Sequence, residues 1–222
     1  DSYVPIDGHG SDKLNAAYFY GGPVLAIKTL NQVFQLDITD YVTVNFSEMA
    51  RIVDAVGGVE IEISEDERKD ANHNMIEQAR QSGEKIVSID RAGKQTLNGM
   101  QAVAYARIRY VGNADFERTQ RQRRVMMEIF NKGKKMSPLQ YPGLIQELFP
   151  VVHTSLDLEK ILDLAGIMLR EVSFEDIRIP CNGDLIGDGD LRVGETLYLN
   201  YDLESARDKI HKFIYQDIKP EP

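Results

Sequence analysis

Tyr41 to Ile63 reads YVTVNF-SEMARIVDAV-GG-VEIEI, and this stretch decides the fold class. Tyr41–Phe46 alternates and is rich in β-branched residues, the pattern of a strand. Ser47 is the expected cap of a helix that carries Met49, Ile52, Val53 and Val56 at helical spacing and stops at Gly57-Gly58. Val59–Ile63 alternates again, with Glu60 and Glu62 marking a polar face. Strand, helix and strand in succession predict an α/β protein: a layered α/β/α arrangement with a central mixed, partly parallel sheet flanked by helices.

Working outward, Gly21-Gly22-Pro23 opens a helix whose apolar stripe is Leu25, Ile27, Leu30, Val33 and Phe34. Residues 64–85 are polar and read as an excursion from the core, with a short surface helix around Met75, Ile76 and Ala79. Asn98-Gly99 begins a short helix through Ala106, after which the chain is read as extended through Arg107-Ile108-Arg109-Tyr110. Asp115 is the expected cap of a helix from about Phe116 to Lys132, closed by Gly133. Two helices are expected near 138–149 and 157–170, strands at Val172–Ile179 and Leu197–Tyr201, and a last amphipathic helix capped by Asp202.

The 222 residues suit one domain, 1–222. With 26 Lys and Arg against 35 Asp and Glu, the net charge of −9 opposes a general nucleic-acid binder, whose affinity rests on neutralising phosphates. The single cysteine, Cys181, excludes an internal disulfide. No run of residues approaches the length of a membrane span, and no signal peptide is visible. His9, His73, His153 and His211 show no metal spacing. Asp184, Asp188 and Asp190 in GDLIGDGDLR lack the full ligand spacing of a calcium loop and are read as an Asp/Gly turn.

Residues 107–124, RIRYVGNADFERTQRQRR, concentrate Arg107, Arg109, Arg118, Arg121, Arg123 and Arg124 inside this acidic chain. In an extended segment Arg107 and Arg109 share a face. Stepping back from Met126, Ile129 and Phe130 puts Gln122 and Arg118 on the inward face near a helix N-terminus, and leaves Arg123 and Arg124 on the surface. Arginine forks, a glutamine and free amides at a helix start suit a diphosphate. Two other readings stay open: arginines solvated or paired with Asp115 and Glu117, and a basic RNA-binding patch, which sparse aromatic interleaving and the acidic surroundings disfavour.

At these same residues the chain resembles the LytR-CpsA-Psr family. Three blocks carry the likeness, spanning about residues 1–133: Asp12–Tyr18 with Gly21-Gly22-Pro23, Val53–Val59, and Leu97–Ala102 through Tyr105–Arg109 to Asp115–Gln122. The resemblance implies a magnesium-assisted phosphotransferase at the extracellular face of the bacterial cytoplasmic membrane. Such an enzyme takes a polyprenyl-diphosphate-linked glycan of teichoic-acid or capsule type, passes the glycan phosphate to a sugar hydroxyl of peptidoglycan and releases polyprenyl phosphate. It implies that Arg107, Arg109, Arg118 and Gln122 hold the diphosphate, that Arg121 and Asp115 support them, and that Lys13 and Asn15 lie near the pocket. Apolar helix faces would wall a groove for the lipid tail. Asp1-Ser2 matches the end of a family strand motif, so the chain is read as N-terminally incomplete, with the Mg2+ ligands and a membrane anchor expected outside it. The sequence also leaves open two other functions: a non-catalytic polyprenyl-diphosphate binding domain, and an envelope regulator or transcriptional attenuator.

Overall fold

The computed structural model describes residues 2–82, 86–112, 114–168 and 175–220. In chain order the elements are β1 (Tyr3–Ile6), β2 (Gly10–Lys13), α1 (Ala16–Phe34), β3 (Val42–Thr43), α2 (Phe46–Ala55), β4 (Val59–Ile63), α3 (Glu65–Ser82), β5 (Gly93–Leu97) and α4 (Gly99–Ala106). There follow α5 (Ala114–Lys135), α6 (Tyr141–Leu148), β6 (His153–Thr154), α7 (Leu158–Met168), β7 (Leu185–Val193), β8 (Thr196–Tyr201) and α8 (Leu203–Gln216). They group into two compact units, Val42–Phe174 and Asp1–Tyr41 with Glu175–Pro222.

The α/β class stands. Among the described residues the strands form four two-stranded antiparallel ladders, β1-β2, β3-β6, β4-β5 and β7-β8, and the one parallel pairing is the bridge Ser2↔Leu199. Parallel pairing, one part of what strand–helix–strand alternation predicts, is thus confined to this bridge between the residue before β1 and β8, and the ladders themselves are antiparallel. β4 instead folds back on β5, which follows it after α3.

In the middle unit, β4 alternates as its sequence predicts: Val59, Ile61 and Ile63 are buried, and Glu60 and Glu62 face out. Asn45, rather than Ser47, caps α2, accepting from the Glu48 amide while Glu48 returns a carboxylate to the Asn45 amide. The expected strand before it shrinks to Val42–Thr43. Asn98 and Gln101 close the same reciprocal cap on α4. Gly99 sits so close to α2 that an added Cβ would lie 2.0 Å from the Ala50 carbonyl oxygen, and its amide donates to Asp54 Oδ1 at 2.7 Å. The polar stretch after β4 is no excursion: Glu65–Ser82 form the long helix α3, whose Ala71 and Met75 enter the core with Val53, Leu97, Tyr105, Ile108 and Val125, and residues 83–85 of the predicted stretch lie outside the described residues. Asn72 exchanges two hydrogen bonds with Ile89, and Arg68 donates to the Ile89 carbonyl, which ties the segment before β5 to α3.

In the other unit, α1 is two helical segments broken at Gly21 and Gly22, and Gly22 has φ +64, a conformation that favours glycine. The second segment packs Val33 and Phe34 with Val4, Ile6, Leu203 and Ile210. Arg207 Nε and His211 Nε2 reach the Val33 and Phe34 carbonyls at 2.7 and 2.8 Å, satisfying acceptors at the C-terminus of α1. Asp202 caps α8 as predicted. Asp184 turns inward, accepting from the Cys181 amide, Ser205 Oγ and Lys209 Nζ. The rest of the Asp/Gly turn runs into β7. The strand expected at Val172–Ile179 lies partly outside the described residues, and 175–179 are irregular.

Candidate functional site

The arginine-rich segment lies wholly in the middle unit. Arg107 terminates α4 with helical dihedrals (φ −95, ψ −4), and its amide donates to the Val103 carbonyl. The chain from Arg107 to Gly112 is an irregular turn rather than the extended segment read from its sequence. Ile108 is buried, and Arg109 and Tyr110 are exposed. Arg107 spreads its guanidinium over the Phe46 ring, 4.7 Å from the centroid.

The inward face of α5 differs from the one its periodicity predicts. The buried residues are Arg121 and Val125, with Ile129 partly buried against the same core, so the stripe is displaced by one residue from Gln122–Met126. Arg121 is 3% exposed and spends its donors inside the protein. Nε bonds Glu67 Oε1 at 2.9 Å and Nη2 bonds Glu117 Oε2 at 2.8 Å and the Val111 carbonyl at 3.0 Å; Nη1 lies 3.5 Å from the Ile108 carbonyl. It therefore clamps the turn that carries Arg107 and Arg109. Burial pushes the Glu67 carboxyl up, but the Ser64 amide and the Arg121 guanidinium outweigh it and hold Glu67 below the usual carboxylate range. Gly112, at φ +75, lies against Glu117: a Cβ there would come within 2.0 Å of its carboxylate oxygen.

Arg118 is half-buried, and Gln122 lies one helical turn further on along the same face of α5. Gln122 lines an open apolar groove of about 230 Å³ with Val44, Phe46, Met49, Val103 and Met126. Of the predicted residues only Gln122 lines this groove directly, and Arg107 reaches it through Phe46. Arg109 is exposed and outside the lining. Asp115 falls in the first turn of α5, which starts at Ala114, so it does not precede the helix as a cap; its side chain lies outside the described residues. Arg124, expected on the surface, is exposed but donates to the hydroxyl of buried Tyr105 at 2.6 Å, and Arg123 is half-buried. Burial, and then the Glu67 charge, raise the Tyr105 pKa, so the phenol stays protonated. A second apolar groove, about 260 Å³, runs between α6 and α7 and includes Leu144, Leu148, Phe149, Ile161 and Leu164.

Lys13 and Asn15 belong to the other unit. Lys13 Nζ stands 5.9 Å from the Tyr198 ring centroid, and Asn15 takes the cap position of α1 without a side-chain cap bond. Sequence reading missed Phe46 and Glu67. Glu67 had one usable signal, the Ser64-x-x-Glu67 capping box that the structure confirms. Phe46 had none, because its role depends on where α4 ends.

Among the described residues no three His, Cys, Asp or Glu side chains are grouped to hold a metal ion, so they do not by themselves make a magnesium site. No described helix is long and apolar enough to cross a membrane.

The model of the LytR_cpsA_psr family matches residues 1–209, well past the three motif blocks. The polyisoprenyl-teichoic acid–peptidoglycan teichoic acid transferase TagU of Bacillus cereus is 31% identical over 193 residues, 85% of this chain and 58% of its own. TagT of Bacillus subtilis, with the same activity in its name, is 29% identical over 180 residues, 81% of this chain and 53% of its own. The crystal structure of B. subtilis TagT superposes with a TM-score of 0.70 at 25% identity, over 96% of this chain and 76% of that one. The chain thus spans little more than half the length of these two curated relatives.

Proposed function

The chain belongs to the LytR-CpsA-Psr family, and from that premise we propose that it serves a glycopolymer–peptidoglycan phosphotransferase. The donor is a polyprenyl-diphosphate-linked glycan of teichoic-acid or capsule type. The acceptor is a peptidoglycan sugar hydroxyl, and the reaction takes place at the outer face of the cytoplasmic membrane in a membrane-anchored protein.

One observation carries this reading: a cationic and amide rim beside an apolar groove. Arg107 lies on Phe46, Phe46 and Gln122 line the groove, and Arg118 sits one turn above Gln122. An amphiphile with a diphosphate head and a hydrocarbon tail matches both halves. The acceptor hydroxyl oxygen bonds to the glycan-side phosphorus and gives up its proton to solvent, the bond from that phosphorus to the bridging oxygen breaks, and polyprenyl phosphate leaves. Such a transfer needs positioning and charge neutralisation more than a protein nucleophile. Arg107 and Arg118 supply fixed cations, Gln122 an amide donor, and Arg109 a further cation on the exposed turn. Arg121 holds that turn in place. Magnesium bound with the diphosphate would add charge neutralisation, and among the described residues no group of side chains is placed to hold it.

The test is calorimetric titration of a short polyprenyl diphosphate into the chain and an Arg118→Ala variant. A guanidinium bonded to the diphosphate contributes about 1.5–3 kcal/mol, so the variant should bind at least about tenfold more weakly. Equal affinity in the variant would remove Arg118 from the site. Binding without release of polyprenyl phosphate, when saccharide acceptor and magnesium are supplied, would make this a binding domain rather than a transferase.

A further inference from the structure

Tyr18, Phe19 and Tyr20 end the first segment of α1, immediately before the break at Gly21 and Gly22. Phe19 is 84% exposed, an unusual position for so large an apolar ring. Its ring meets Tyr20 edge-on at 5.6 Å, and His9 stacks on Tyr20 in parallel at 4.4 Å. The Tyr20 hydroxyl donates to Asp12 Oδ2 at 2.7 Å, and the Tyr198 hydroxyl lies 3.4 Å from Asp12 Oδ1. The outcome is two exposed aromatic rings, Phe19 and Tyr20, next to a carboxylate that Tyr20 and the buried Tyr198 hold in place.

We propose that this patch is a saccharide platform for an uncharged amino-sugar chain, used as the acceptor strand. A pyranose ring has an apolar C–H face and a polar edge of hydroxyl and amide groups. Aromatic rings cover the first at little conformational cost. A carboxylate accepts from the second, and Asp12 Oδ2 accepts one protein hydrogen bond where a carboxylate oxygen has room for about two. The Tyr20 hydroxyl and the Lys13 amide hold the Asp12 carboxyl below its ordinary range, so it remains an acceptor at neutral pH. Charge selects an uncharged chain over a phosphate-bearing one: Asp7 is paired with Lys28 and Asp12 adjoins Lys13, so the patch carries no cationic surplus. The same balance disfavours an anionic bilayer surface, which attracts clustered lysines and arginines. Saccharide binding here stands by itself; its use as the acceptor site rests on the transferase reading.

The test follows amide NMR signals while N-acetylchitotetraose is titrated into the chain and into F19A. Phe19 is so exposed that its removal leaves the fold intact. Shifts should concentrate in residues 9–20, and F19A should bind at least about fivefold more weakly, as expected for loss of an aromatic anchor. Affinity for the polyprenyl diphosphate should be unchanged in F19A. Absence of shifts in 9–20 at saturating saccharide, or undiminished affinity in F19A, overturns the platform. So does Phe19-dependent binding to phosphatidylglycerol vesicles with no response to saccharide, which would make the patch a bilayer contact. Saccharide binding without any diphosphate binding would keep the platform and refute the transferase reading instead.

Discussion

Replacing Arg121 with methionine tests whether the turn bearing Arg107 and Arg109 is held by a buried ion pair. Methionine keeps much of the length and apolar stem of arginine and deletes the guanidinium. The loss falls mainly on Glu67, whose side chain is 13% exposed, and less on Glu117, at 40%. Removing one partner of a buried pair costs about 3–5 kcal/mol, because the other charge is left uncompensated. The lower end applies here, about 3 kcal/mol, since Glu67 keeps the Ser64 amide and Glu117 can turn to water. Urea unfolding monitored by circular dichroism reads this difference. Combining Arg121→Met with Glu67→Gln should recover at least about half of it: glutamine removes the stranded charge and still accepts from the Ser64 amide. The pH dependence has a defined sign. In the native protein Glu67 is held below its unfolded value of 4.5, so its contribution is present above that pH and is lost as pH falls through the native pKa. Without Arg121, burial pushes the Glu67 pKa up. The gap between variant and parent should then narrow on going from about pH 7 to pH 5. A loss below about 1 kcal/mol for Arg121→Met, or a double variant that merely adds the two single effects, would refute the clamp.

Gly99→Ala should destabilise the protein by about 2 kcal/mol or more, read as a fall in urea midpoint, because the new Cβ meets the Ala50 carbonyl at 2.0 Å and forces α2 and α4 apart. Met126→Glu, at a groove-lining position that is 39% exposed, should abolish the gain in affinity that a long polyprenyl diphosphate has over a short one. In calorimetry the short compound should bind the variant about as well as the parent. Asp184→Asn should flatten the acid limb of stability. Burial opposes its charge, but Lys209, Ser205 and the Cys181 amide outweigh that and hold the carboxyl below its unfolded 3.8. Its contribution is thus present above that pH and lost below it, which acid titration of the folded signal in parent and variant compares.

β4 was legible because alternation and one buried face are the same fact. The α4 and α8 starts were legible because Asn98 and Asp202 cap locally. The family was legible because its motifs are ordered along the chain, and the match over 1–209 upholds it. The helix α3 was misread because its many charges mask the two positions, Ala71 and Met75, that enter the core. The phase of α5 was misread for a related reason. Stripes through Gln122 and Met126 or through Arg121 and Val125 both continue to Ile129, and periodicity prefers not to bury an arginine. Arg121 is buried because Glu67, 54 residues away, meets it there with an opposite charge. Local pattern thus determined where β4, α4 and α8 form and which family the chain joins. Tertiary structure alone decided which arginine turns inward and which ring lies beneath Arg107, because a buried charge is tolerated only where a partner arrives from elsewhere in the chain.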